Sequence, residues 1–308
     1  MNPQALARAP RLYGLLITKD DHDIFADWCR DQLPLYDAVV CLDGSESGET
    51  ARQAAAFAGR LVYLHERDCD IPHKTDHGLR RVAHAEIVRR FGHGHWVMCC
   101  HADEFCYHDP RTIAALAGRL GCDQVSWFSP HFYPHPDELP DWPRLRNLPV
   151  PLRHRHYHWD RDGSCLPWAE DRLYLAGPGV GWDDRTHGSV RPHGLSRPAP
   201  FRPALRHYKV VAADPAWYEQ SASCAHYRHH WQGLGDRTGL PFPVRRFEDL
   251  FVRSVRGYGR CDRFGGRFDH PWNLGEEFRP GAPDGAAQFE AERRRRSVGE
   301  LAAREEHE

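Results

Sequence analysis

The chain of 308 residues contains no apolar run long enough to cross a bilayer, which takes about 20 consecutive apolar residues. That argues against a helical membrane protein and leaves peripheral membrane contact open. The opening stretch, MNPQALARAPRLYG, lacks the hydrophobic segment of a secretory signal, so a cytoplasmic protein is expected. Neither GxGxxG nor GxxxxGK[ST] occurs, which leaves a dinucleotide fingerprint and a phosphate-loop NTPase unsupported. Charge of one sign is also missing. A formal net charge of -2 gives no electrostatic footprint for general nucleic-acid binding. The ten cysteines are scattered, with no zinc spacing around Cys69, Cys122 or Cys165. Cys41, Cys99 and Cys100 fall inside strand-like segments, so buried free thiols are expected rather than a disulfide scaffold.

What is present is enough for a core: 41% of the residues are apolar, slightly under the globular average. The length suits one large domain or two small ones. The 22 histidines and 10 tryptophans are many. Aromatic platforms often face sugars or bases, but composition does not choose between those uses.

The first half reads as strand and helix in alternation. Strands are expected at Leu12–Ile17, Ala38–Leu42, Leu61–Leu64, Trp96–Cys100 and Gln124–Phe128. Between them, Ile24, Phe25, Trp28 and Cys29 fall three and four apart, so they share one helix face, with Asp20 or Asp21 as its cap. Glu49–Phe57 reads as a short alanine-rich helix. His77–Phe91 reads as a longer one, with Leu79, Val82, Ala83, Ile87 and Val88 turned inward. Asp109-Pro110 opens another, with Pro at the first position. Helical crossovers favour a mostly parallel sheet with flanking helices, an α/β fold.

After Ser129 the texture changes. Residues 130–200 are rich in Pro, His, Trp and Arg, with short strand candidates at 153–159, 173–175 and 205–211. This irregular C-terminal half is expected to lie over the sheet within the same domain, 1–274, divided into halves at 10–130 and 131–274. From Gly275 to 308 the chain is rich in Gly, Ala, Arg and Glu, including Arg293–Arg296, and reads as a charged, flexible tail.

The segment Trp96-Val97-Met98-Cys99-Cys100-His101-Ala102-Asp103-Glu104-Phe105 carries the strongest chemical signal. A buried strand ends there in potential metal ligands, and strand ends are where α/β sheets bind nucleotides and metals. Carboxylates at Asp103 and Glu104 suit Mg²⁺ or Mn²⁺, which can neutralise a diphosphate. His101, two residues before Asp103, points to the same side if the strand persists. The plain alternative is an acidic surface turn. His207, in Leu205-Arg206-His207-Tyr208-Lys209, is a candidate imidazole ligand or simply a hydrogen-bonded polar residue, and Lys209 a candidate phosphate contact. Asp43 closes the second strand in Asp43-Gly44-Ser45. It suits a base edge or ribose hydroxyls, or else a turn bonded to its own backbone. Lys74, His77, Arg80 and Arg81 form a basic cluster in which Lys74 or Arg80 could meet phosphate; the alternative is a solvated helix face. Glu170-Asp171 and Asp183-Asp184 are candidate general bases. Salt bridges to Arg172 or Arg185 are the plainer account of them. Trp168 and Trp182 beside them would stack on a sugar or fill core.

Taken together these residues resemble nucleotide-sugar glycosyltransferases of the GT-A fold, in the family-2-like group. The matching segments are Leu16-Ile17-Thr18-Lys19-Asp20-Asp21 followed by Trp28, and Val39–Thr50 with Asp43-Gly44-Ser45. His101-Ala102-Asp103-Glu104-Phe105 follows, similar to the family's DxDEF metal motif, and then His207-Tyr208-Lys209. The resemblance covers residues 10–130 and reaches 210 weakly. It implies a GT-A-like sheet and transfer of a glycosyl group from a nucleoside diphosphate sugar to a hydroxyl acceptor, with Mn²⁺ or Mg²⁺ as cofactor. It implies Asp103, with His101 and His207, as metal ligands. The donor would be met by Thr18, Asp43, Ser45, Lys74, Arg80 and Lys209. One of Glu170, Asp171, Asp183 or Asp184 would be the base if configuration inverts. The family's first motif Asp is His101 here, and Asp20 stands where Asn is common; both leave donor and metal identity open. Two rivals follow from the same residues. One is a two-metal hydrolase drawing on His73, His77, His101, Asp103 and His207, and the other is a binding module that turns nothing over.

Overall fold

The uninterrupted apolar runs of the first half become the strands of a sheet covered on both faces, as continuous rather than alternating hydrophobicity requires. In the computed structural model these are β1 (Leu12–Thr18), β2 (Ala38–Asp43), β3 (Leu61–His65) and β4 (His95–His101). Then come β5 (Glu104–Cys106), β6 (Gln124–Phe128), β7 (His131–Tyr133) and β8 (His156–His158). The last three are β9 (Ala169–Ala176), β10 (Leu205–Tyr208) and β11 (Tyr258–Arg260). The structure describes residues 10–69, 76–106, 108–128, 131–133, 140, 142–145, 148–150, 156–158, 169–182, 192–201, 203, 205–208 and 258–260.

Six strands form the main sheet in the order β3-β2-β1-β4-β9-β6. β1 to β4 run parallel, and β9 lies antiparallel between β4 and β6. The mostly parallel α/β sheet expected from the sequence is therefore present. The second half contributes β9 to its interior, so the first half's sheet is incomplete without residues past 168. A smaller sheet, β11-β8-β7-β10-β5, takes β5 from the first half and β10 from the second.

The helices are α1 (Phe25–Gln32), α2 (Glu49–Ala54), α3 (Asp76–Phe91), α4 (Pro110–Arg119) and α5 (Trp142–Leu145). Alternation along β1 divides the core. Leu12 and Leu16 join Val39, Met98, Trp28, Phe25 and Ile113 on one face. Tyr13, Leu15 and Ile17 join Val40, Val97, Ala83 and Ile87 on the other. Each such fully buried aliphatic side chain contributes about 1.5–3 kcal/mol of burial free energy. α4 starts as the sequence predicts: the Asp109 carboxylate accepts from Arg111 N at 3.0 Å, with Pro110 in the first turn.

The expected cap of α1 is not formed. Its N-cap residue is Ile24, with no side-chain cap. Asp21 contributes its carbonyl oxygen to the first turn, while its carboxylate bends back to accept from Thr18 Oγ1 at 3.0 Å and Lys19 N at 3.1 Å. The turn is tight because Asp20 sits in the left-handed region, φ 58°, a conformation that Asp tolerates better than most residues.

Among the described residues the cysteines are free thiols: Cys29, Cys41, Cys99, Cys100, Cys106 and Cys122 buried, Cys69 half-buried. No helix among them is long and apolar enough to cross a membrane.

Candidate functional site at the strand ends

Parallel pairing sets the C-terminal ends of β2, β1 and β4 side by side, with Asp43 opposite Thr18 and Ile17 opposite His101. An open α/β sheet binds its ligands at this edge.

β4 stops at His101, and Ala102-Asp103 turns the chain into β5. The strand does not persist, so the parity argument that set His101 beside Asp103 fails. His101 Nε2 instead lies 3.0 Å from the Arg80 guanidinium. Because Arg has only donors, that nitrogen is an acceptor and the ring proton sits on Nδ1. Burial, then the charges of Arg172 and Arg80, hold His101 well below the usual imidazole range. It is a neutral ring whose Nε2 lone pair is already engaged. Arg80 is not the solvated face that was one expectation for it: it is 1% exposed, and its guanidinium lies 5.2 Å from the centroid of the Trp182 ring.

The pairing of β5 with β10 brings His207 to the turn. Register places His207 opposite Glu104, and Tyr208 N donates to the Asp103 carbonyl at 2.8 Å. His207 Nε2 then stands 2.9 Å from Asp103 Oδ2. That is an ordinary hydrogen-bond distance. It also matches two neighbouring ligands of one octahedral ion, about 3 Å apart when each bond is about 2.1 Å. Among the described residues no group of three or more His, Cys, Asp or Glu could hold a metal; Asp103 and His207 are the two donors brought together there.

Glu104 is not presented to solvent. Its Oε1 accepts from Arg172 Nη2 at 2.6 Å and lies 3.7 Å from His207 Nδ1; its Oε2 accepts from His101 N at 3.3 Å. Trp28 Nε1 donates to the Glu104 carbonyl at 2.8 Å, tying α1 to the turn. Burial raises the Glu104 carboxyl, with Arg172 pulling the other way. Arg172 reaches this position through an irregularity. β6 pairs Val125 with Leu173 and Ser126 with Asp171, leaving Arg172 as the extra residue of a bulge. Bulges beside sites commonly re-aim a side chain in this way.

The remaining expected residues separate. Asp43 is fully buried. Its Oδ1 accepts from Ser45 N at 2.8 Å and Ser45 Oγ at 2.5 Å, and its Oδ2 accepts from Tyr63 OH at 2.6 Å. Ser45 Oγ in turn accepts from Asp20 N at 2.7 Å. Both side chains serve the turn itself. Thr18 is buried and donates to Asp21. Glu170 pairs with Arg172 at 2.9 Å, the plainer reading for it, whereas Asp171 accepts from Ser126 Oγ, a partner the sequence did not suggest. Trp182 is core, its Nε1 donating to Tyr174 OH at 3.3 Å. Lys74, His73, Trp168, Asp183, Asp184, Lys209 and the 275–308 segment lie outside the described residues.

Sequence reasoning missed two site residues. Asp21 was assigned to a helix cap, yet burial, and next the charge of Asp103, raise its carboxyl to about 7. Arg172 was weighed only as a partner for Glu170-Asp171. The bulge is set by how β9 pairs with β6, which no local sequence pattern records.

These features define an α/β domain whose parallel strand ends open on a compact carboxylate–imidazole–arginine site. The chain matches no protein-family model and no curated protein. Among solved structures it is similar to glucosyl-3-phosphoglycerate synthase from Mycobacterium tuberculosis. With that enzyme's UDP complex it shares 17% identity over 56% of this chain and 58% of that one, less than two thirds of its length, at a TM-score of 0.32. With the complex containing Mn²⁺, UDP and glucosyl-3-phosphoglycerate, identity is 16% over 77% and 83%, TM-score 0.37. A further mycobacterial protein shows 19% identity over 78% of each chain, TM-score 0.36. Likeness at this level assigns neither activity nor ligand to the chain.

Proposed function

We propose that the chain is a glycosyltransferase that moves a glycosyl group from a nucleoside diphosphate sugar to a hydroxyl acceptor, using Mn²⁺ or Mg²⁺ held by Asp103 and His207. The carrying observation is the convergence of Asp103 and His207, 104 residues apart in sequence, at the C-terminal end of a parallel strand. A carboxylate and an imidazole make a donor set that Mn²⁺ accepts and Mg²⁺ tolerates. With two protein donors, most coordination positions remain for diphosphate oxygens and water. When bound, the ion would neutralise negative charge growing on the departing diphosphate.

The chain's own residues supply the frame. The β5–β10 ladder fixes the two donors without help from the ligand, so little ordering entropy is lost on binding. Asp43, Ser45 and Thr18 hold the β1 and β2 turns in shape. His101 Nε2 accepts from Arg80 at 3.0 Å, which supports Asp103 and His207 as the donor pair. Glu170 and Asp171 are committed to Arg172 and Ser126. This supports Asp183 or Asp184 as the base that takes the acceptor's proton, if configuration inverts.

The test is nucleotide release from UDP-, GDP-, CDP- and dTDP-sugars with Mn²⁺, Mg²⁺ or EDTA, alongside Asp103→Asn and His207→Gln. Turnover of one donor, abolished by EDTA and by either substitution, is expected. Metal-independent turnover, or a donor bound equally well by both variants, would sink the reading.

A further inference from the structure

His84, Tyr174 and Trp182 form a hydrogen-bond chain inside an otherwise apolar layer of the core. All three are buried, Tyr174 completely. Tyr174 and Trp182 lie among Ala83, Ile87, Val97 and Ala176. The directions of the bonds follow from the chemistry of each group. A carbonyl only accepts, so His84 donates from Nε2 to the Val180 carbonyl at 3.2 Å. Burial holds His84 below the usual imidazole range, so the ring is neutral and its Nδ1 is an acceptor. An indole only donates, and Trp182 Nε1 donates to the Tyr174 hydroxyl at 3.3 Å. That hydroxyl donates to His84 Nδ1 at 2.8 Å. A satisfied polar network in an apolar layer rigidifies it and specifies one arrangement.

The part of the chain so fixed is the turn that leaves β9. The network binds it at Val180 and Trp182, and the chain returns between them, His193 N donating to the Gly181 carbonyl at 2.8 Å. Trp182 also faces the strand ends. The Arg80 guanidinium lies 5.2 Å from its ring centroid, and Arg80 Nη2 donates at 3.0 Å to Nε2 of His101, the last residue of β4. One indole is thus tied to the core through Nε1 and to the site through its ring face. The next two residues are Asp183 and Asp184. Consecutive Cα atoms are about 3.8 Å apart, so anchoring Trp182 bounds where a carboxylate directly after it can stand.

We propose that His84, Tyr174 and Trp182 are positioning residues for the transfer step. His84 and Tyr174 hold Trp182, and Trp182 holds both Arg80 at the end of β4 and the chain that continues into Asp183-Asp184. This rests on the transferase reading above, with its base at Asp183 or Asp184.

The experiment measures nucleotide release from the donor sugar that the wild type turns over with Mn²⁺, water standing in for the acceptor. It compares Tyr174→Phe, which removes only the central hydroxyl, with Trp182→Phe, which removes the indole donor and keeps a ring under Arg80. The pair together, His84→Leu and His84→Gln complete the set. Misplacing a reacting group by about 1 Å costs about 100-fold, so each single Phe variant should lower kcat about 10–100-fold. Donor KM, and Mn²⁺ affinity read from the electron paramagnetic resonance of the free ion, should stay at wild-type values. The Phe pair should be no slower than the slower single variant, because both changes cut one link. His84→Gln keeps a donor for the Val180 carbonyl and should retain more kcat than His84→Leu. Hydrogen exchange should quicken at 177–182 and stay unchanged in β1 to β4. A purely structural role would instead lower activity only in proportion to the unfolded fraction, or weaken donor and Mn²⁺ binding together with kcat. Either result, or a folded Tyr174→Phe with wild-type kcat, overturns the proposal while the transferase reading stands. A wild type that turns over no donor sinks the transferase reading and the positioning role with it, so the two failures are told apart.

Discussion

Asp43 gives the sharpest test of the site's architecture, because a turn role and a ligand role predict different losses. Its carboxylate accepts three short hydrogen bonds, from Ser45 N, Ser45 Oγ and Tyr63 OH, and has no exposed surface. A hydrogen bond to a charged group is worth about 1.5–3 kcal/mol, and a buried donor left without a partner costs about 1–3 kcal/mol. Water can replace the carboxylate at the half-buried Tyr63 but not at the buried Ser45. Asp43→Ala should therefore destabilise the protein by about 3–5 kcal/mol, since the contributions overlap rather than add. Tyr63→Phe should cost about 1 kcal/mol. Urea unfolding monitored by tryptophan fluorescence reads both, with the midpoint taken at constant slope. Donor affinity of each variant is measured well below its midpoint. If Asp43→Ala costs under about 1 kcal/mol yet weakens donor binding tenfold or more, the carboxylate belongs to the ligand and the turn argument is refuted.

Three further outcomes follow from the geometry. His95 is buried with Nε2 unpartnered, and burial, then the charges of His84 and His93, lower it to about 4. An unfolded His binds its proton near 6.5, so the unfolded state gains protons first as pH falls and stability is lost between about pH 6.5 and 4. About 2 kcal/mol should be gone by pH 5 relative to pH 8, and His95→Gln should flatten that part of the curve. Gly194 has φ 83°, and a Cβ there would stand 2.5 Å from the Gly179 carbonyl oxygen. Gly194→Ala should cost at least about 2 kcal/mol from the left-handed backbone and the clash combined, read as a fall in melting temperature. Trp28→Phe deletes the donor to the Glu104 carbonyl and part of a fully buried ring stacked on Tyr36 at 6.3 Å. A loss of about 2–3 kcal/mol is expected, with the unfolding midpoint as readout.

The strands of the main sheet were legible because each is a contiguous apolar run bounded by turn residues. β1 and β4 are buried along nearly their whole length, so no partner strand was needed to recognise them. α3 was legible for a similar reason: Ala83 and Ile87 recur at helical spacing and are buried. β5 was not legible. Glu104-Phe105-Cys106 is three residues long, and it is a strand because β10, 100 residues later, lies beside it. The misread cap at Asp21 has the same origin. Asp is a good N-cap by local rules, but a left-handed Asp20 anchored by Ser45 turns the carboxylate toward β1 instead.

The sequence alone therefore determined the α/β class, the order of the first strands, and the candidacy of Asp103 and His207, since these depend on local periodicity and residue chemistry. Only the tertiary structure decided which candidates meet. His101 went to Arg80, Asp43 to its own turn, Glu170 to Arg172, and His207 to Asp103. The physical reason is distance. Hydrogen bonds and ion pairs act over about 3–4 Å, and contacts across 100 residues are set by strand register and a bulge, which no local pattern records.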